Sequence, residues 1–168
     1  MVTTGKSGAA YFRVGILAIL IFSFTQSLCE AEIHSVPFPQ TLSNATPEQR
    51  EIYALTFVND KLQVWQKRMN LPDWTIQVRL VRKSTLDPKT LGGIRWDRGT
   101  MTATVNVLST YDYTMPVQEM LDDMEFTIVH ELVHLHLSPL PRSEASRRSE
   151  EHAVNRLAEA LLKLNRGK

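Results

Sequence analysis

His130-Glu131-Leu132-Val133-His134 lies between Pro116, which opens a long helical pattern, and Ser138-Pro139-Leu140-Pro141, which closes it. Residues four apart sit one turn apart on the same face of an α-helix, so both imidazoles can reach one ion. Glu131 stands beside them and can reach a water on that ion without taking a coordination position. Zinc suits imidazole and carboxylate ligands in a tetrahedral site, and three protein ligands leave the fourth position for water. The pKa of such a water falls toward ~7, and Glu131 would accept its proton and pass it to a leaving amine.

The third ligand has to come from another element, and the helix that follows carries Glu144, Glu150, Glu151 and Glu159. Glu144 is too close to the proline-rich turn, and Glu159 lies about two turns beyond the pair in the middle. By helical angle Glu150 points into a stripe of Val154, Leu157 and Leu161. A carboxylate among leucines is costly unless it binds metal, so Glu150 stays open. Glu151 lies at the edge of the stripe and shares its face with Asn155, which pairs a ligand with an amide able to hold a histidine ring. That geometry favours Glu151. His136 is two residues past His134 and points to another side of the helix, and Arg147-Arg148 read as a solvated face.

Working outward toward the N-terminus, Thr46-Pro47-Glu48 reads as a helix start, with Thr46 as N-cap and proline in the first turn. Ile52, Leu55, Phe57, Val58, Leu62 and Trp65 continue it to about Arg68, and Leu71-Pro72-Asp73 breaks it. Trp74, Ile76, Val78 and Leu80 alternate with polar residues as a half-buried strand. Asp87-Pro88 and Gly92-Gly93 mark turns around a weaker strand at Ile94–Trp96. Met101, Ala103, Val105 and Val107 predict a further strand. Glu119, Asp122, Asp123 and Glu125 crowd the early turns of the motif helix, where the dipole favours anions. The expected fold is α+β, a small mixed sheet packed on an N-terminal backing helix, the motif helix and a C-terminal glutamate helix.

The chain has 168 residues, enough for one domain of ordinary size. Its 43% hydrophobic and 22% charged residues fit a packed core and exclude a disordered chain. A formal charge of +1 argues against nucleic acid as the main partner. One cysteine, Cys29, excludes an intrachain disulfide framework and a Cys-rich zinc site. Lys6 and Arg13 precede a short apolar run, Val14 to Phe24, about half of what a bilayer span needs. Residues 1–31 therefore read as a secretory signal cut after Ala31 or Cys29. The rival is a lipid or membrane anchor at Cys29, disfavoured by Leu28 before it. Cleavage removes Lys6, Arg13 and Glu30 and leaves no net formal charge. Residues 32–45, with Pro37, Pro39, Ser43 and Asn44, read as a linker or pro-segment that carries His34, and 46–168 as the single metallopeptidase-like domain. The expected location is exported, periplasmic or secreted, with membrane contact only through an uncleaved N-terminal segment.

His130-Glu131-Leu132-Val133-His134 followed by Glu151-His152-Ala153-Val154-Asn155 resembles the gluzincin clan of zinc metallopeptidases, in which the third ligand is a Glu on the next helix. The short chain and the Leu71-Pro72-Asp73-Trp74-Thr75-Ile76 strand opening look most like its minimal members, the minigluzincins, over about residues 46–165. The resemblance implies a zincin-like fold with one zinc per chain on His130, His134 and Glu151. It implies Glu131 as general base and Thr102–Leu108 as the edge strand beside the cleft. A peptide or protein substrate would add to that edge by main-chain hydrogen bonds. Larger relatives carry a downstream His or Tyr that stabilises the oxyanion; His152, Tyr111 and Tyr113 are the candidates here. The rest of the substrate-binding surface is unassigned. Two expectations follow: a zinc endopeptidase, or a non-catalytic exported domain that binds zinc or a partner.

Overall fold

Thr46 starts the first helix by a reciprocal cap: Gln49 N donates to its hydroxyl at 3.2 Å, and Thr46 N donates to the Gln49 side chain at 2.9 Å. In this computed structural model, which describes residues 42–141 and 143–167, that helix is α1, Pro47–Arg68. It ends in a Schellman motif. Asn70 adopts φ +53°, while Leu71 N donates to Gln66 O and Asn70 N to Lys67 O. Pro72 then prevents the helix from resuming. The buried stripe of α1 is Ala54, Val58, Leu62 and Trp65. Ile52 and Leu55, expected within it, lie to one side at 69% and 41% exposure, because small Ala54 rather than Ile52 begins the contact face.

Three strands follow: β1 (Thr75–Val81), β2 (Gly92–Asp97) and β3 (Thr102–Leu108). The sheet order is β1-β3-β2, with β1 parallel and β2 antiparallel to β3. This overturns the expectation for Thr102–Leu108, which is the central strand and not an edge. The chain passes over one strand position after β1, and the β2–β3 hairpin folds back into the gap. Central placement suits β3, whose Ala103, Val105, Val107 and Leu108 are all buried. Gly92 and Gly93, expected as a turn, are the first residues of β2, the edge strand.

Helix α2 (Val117–Leu137) packs on α1, on the sheet and on α3 (Glu144–Asn165). Met124, Ile128, Leu132 and Leu135 form one buried stripe, and Thr127, Val129 and Val133 are buried on other sides, the signature of a helix enclosed by neighbours. In α3 the buried stripe is Val154, Ala158 and Leu162, while Leu157 turns outward at 48% exposure. The described residues thus form an α+β fold of three α-helices and a small mixed sheet. These elements belong to one unit, Phe38–Lys168. Residues 1–31, Cys29 and His34 fall outside the described residues. Of the expected linker 32–45, Leu42–Asn44 form one 3-10 turn with Leu42 buried. Among the described residues no helix is long and apolar enough to cross a membrane.

The carboxylates grouped at the start of α2 bind side chains as well as lying near the helix dipole. Glu125 is buried and accepts from Trp65 Nε1 at 2.9 Å and Lys61 Nζ at 3.0 Å, both on α1. Arg166, just beyond α3, reaches its other oxygen at 3.5 Å and Asp122 at 3.0 Å. One carboxylate thereby ties three helices. Glu125→Ala leaves the buried indole N–H without an acceptor, at a cost of about 2–4 kcal/mol in chemical denaturation. Glu125→Gln, which keeps an acceptor, recovers a large part of it.

Candidate metal centre

α3 folds back along α2, so that Glu150 meets His134 near one end of the pair and Arg166 meets Asp122 near the other. This places the two glutamates opposite the two histidines. His130 Nε2 and His134 Nε2 stand 3.1 Å apart. Glu151 Oε2 lies 3.5 Å from the first and Glu151 Oε1 3.3 Å from the second. These are the described groups of at least three His, Cys, Asp or Glu that could hold a metal ion. Zinc–ligand bonds of ~2.0–2.2 Å at tetrahedral angles put neighbouring donors about 3.3–3.5 Å apart. The Nε2–Nε2 separation is near that edge, the two Glu151 oxygens each approach one ring, and one donor atom from each residue lies within 4.8 Å of the others, which is compatible with a bound metal ion.

Hydrogen bonding on the far side of the rings points the same way. Glu150 Oε1 lies 3.1 Å from His134 Nδ1. A carboxylate accepts, so Nδ1 is the donor in that bond, and Nε2 is the ring atom that faces His130 and Glu151. Burial pushes the His130 pKa down, as does the charge of His134, while Glu151 and the Asn155 amide pull it back. His130 Nδ1 is buried and makes no hydrogen bond within ordinary limits. Two imidazoles and a carboxylate thus converge on one small volume, the arrangement that a cation can occupy.

Glu150 and Glu151 therefore separate by position. Glu151, 57% exposed at its side chain, approaches both Nε2 atoms, whereas Glu150, 16% exposed, grips the opposite edge of His134. Asn155 lies against His130 and lines the same cleft. The bond from Glu150 to His134 was not foreseen in the sequence; its signal was the pair of adjacent acids, of which only one can face the ion.

The site opens into a cleft of about 560 Å³ between β2 and the facing sides of α2 and α3. Gly92 sets its width. A Cβ there would stand 2.2 Å from Thr127 Cγ2, 3.0 Å from Asn106 O and 3.6 Å from Glu131 Oε1. Only glycine lets this strand lie so close to the motif helix. His136 is exposed on another side of α2. The three oxyanion candidates are not among the residues lining the cleft. His152 is exposed, Tyr111 pairs with Glu48 at 3.5 Å, and the Tyr113 hydroxyl donates to Asp123 at 2.7 Å. Helical phase turns His152 away, and the turn after β3 directs Tyr111 toward α1. The side chains of Glu144, Arg147 and Arg148 lie outside the description.

Comparison with family models, with curated proteins and with solved structures finds no match for this chain.

Glu131 is buried at 7% exposure, and burial, with a smaller push from the Glu151 charge, raises its pKa to about 8. The unfolded chain releases this proton near the ordinary value of 4.5, so the folded metal-free protein keeps a proton that the unfolded one has lost. That contribution to stability is full below pH 4.5 and is lost as pH rises toward 8. In metal-free protein, the stability of wild type relative to Glu131→Gln therefore declines between pH 5 and 8. Paired urea denaturations along that pH series measure the slope, and parallel curves contradict the burial argument.

Proposed function

We propose that the protein is a zinc-dependent peptide hydrolase of the gluzincin type, close in plan to the single-domain minigluzincins, with a zincin-like arrangement of helices and sheet. The observation that carries this reading is the meeting of His130, His134 and Glu151 within reach of one metal ion, with Glu131 beside them in the wall of a cleft. His130, His134 and Glu151 would hold one zinc ion. When bound, that ion supplies a Lewis acid that polarises a carbonyl and lowers the pKa of water.

The protein's own groups do the remaining work. Glu150 holds the proton on Nδ1 of His134 and so keeps Nε2 available as a donor. Asn155 leans on His130 from α3. Glu131 takes the proton of the attacking water and delivers it to the leaving amine. Burial raises its pKa in the metal-free protein, and beside a bound cation the carboxylate form that accepts the proton would be favoured. The peptide would lie along β2, whose one side pairs with β3 while the other borders the cleft. An extended chain can add there by main-chain hydrogen bonds, which transfers to β2 the role first expected of Thr102–Leu108. Residues 1–31 would direct the protein out of the cytoplasm.

Metal analysis with a peptide-cleavage assay tests the reading. The purified chain binds one zinc and cleaves peptides, and a chelator abolishes cleavage. His134→Ala loses the metal. Glu131→Gln keeps the metal and loses about 10²–10⁴-fold in rate. Glu150→Ala weakens zinc binding about 10–100-fold. Native protein without zinc overturns the reading. Bound zinc without cleavage, unchanged by Glu131→Gln, favours the non-catalytic exported binding domain instead.

A further inference from the structure

The cleft extends beyond the histidines toward the start of α2, where Asp123 and Phe126 line it, and Trp96 of β2 belongs to the same lining. Asp123 lies two helical turns before His130, about 10 Å along the axis. The Phe126 ring bridges the interval, its centroid 5.9 Å from that of His130. Trp96 and Phe126 are half-buried, and both rest on the hydrophobic core. Asp123 does not swing in solvent. The Tyr113 hydroxyl donates to its Oδ2 at 2.7 Å, and burial, then this hydrogen bond and the Asp123 charge, push the tyrosine pKa up, so the donor keeps its proton. Among the described hydrogen bonds and ion pairs, nothing engages the other carboxylate oxygen. Besides Asp123 the cleft lining carries Asp87, and its one ammonium is Lys89; Glu131 and Glu151 belong to the candidate metal site.

A carboxylate held by Tyr113 in a cleft that also presents two aromatic rings selects among side chains. An apolar group would fill the walls but leave a charged oxygen facing it. A lysine or arginine stem packs on the rings while its charge meets both the ring faces and the carboxylate. We propose that the Trp96–Asp123–Phe126 end of the cleft is a pocket for a basic side chain of the substrate, about three residues from the bond that is cut. The count follows from ~3.3 Å per residue in an extended chain over about 10 Å. This inference deepens the peptide-hydrolase reading and rests on it.

The test uses two peptide sets that differ only in lysine or norleucine, the substitution being moved along positions one to five residues from the cleaved bond. Binding is read by fluorescence anisotropy on zinc-loaded Glu131→Gln, and kcat/KM on the active protein. At the third position lysine is preferred about 5–20-fold in both readouts, as expected for one partly desolvated ion pair with aromatic contacts. Asp123→Asn keeps an acceptor for Tyr113 and brings the ratio to about one. Should that variant lose zinc or fold poorly, salt decides: in wild type the preference shrinks as ionic strength rises.

A ratio near one in wild type, or a preference that survives both Asp123→Asn and high salt, overturns the pocket and leaves the hydrolase reading standing. Lysine-selective binding without cleavage of any peptide supports the pocket and removes the hydrolase. Peptides neither bound nor cut overturn both.

Discussion

Helix α2 is enclosed on nearly every side, yet it carries two imidazoles and a carboxyl through its own middle. Buried polar groups must find partners or raise the free energy of the fold by several kcal/mol. The rest of the molecule is arranged around that demand. α3 brings two neighbouring glutamates and an asparagine to the same spot. One glutamate meets Nδ1 of His134 and the other approaches both Nε2 positions. Glu131, facing the cleft, receives no such partner, and its pKa rises in consequence. A carboxyl left buried beside a donor set is the arrangement expected where proton transfer is needed.

The approach of the sheet to α2 depends on a single missing side chain. Because Gly92 has no Cβ, β2 lies against Thr127 and its backbone borders the space in front of Glu131. Strand order follows from burial. β3 carries the longest unbroken set of buried alternate residues and takes the centre, while the glycine-led strand takes the edge. The one strand able to border the cleft is therefore the one with the weakest sequence signal.

No cysteine lies among the described residues, and the long connections are held by charged hydrogen bonds instead. Glu51 on α1 accepts from the Ser109 hydroxyl at 2.8 Å and from Thr110 N at 2.9 Å, capping the turn after β3. Asp112 receives two bonds from the Arg82 guanidinium and one from Lys83 N, which hold its carboxyl well below the usual range, at about 2. With the Glu125 junction, these contacts anchor the frame of helices around α2 without any cross-link.

The helices, their ends and the α+β class were legible in the chain itself, because caps, proline breaks and periodic burial are local properties. So was the ability of His130 and His134 to share an ion, since spacing on a helix is geometry within one element. The order of strands was not legible, because β2 and β3 compete for the centre through packing that only the assembled core can rank. The separation of Glu150 from Glu151 was likewise undecided: adjacent residues differ by about 100° on a helix, and which one faces the histidines depends on how α3 is rotated against α2. That rotation is set by Val154, Ala158 and Leu162 entering the core together, an event of tertiary packing with no counterpart in the local sequence.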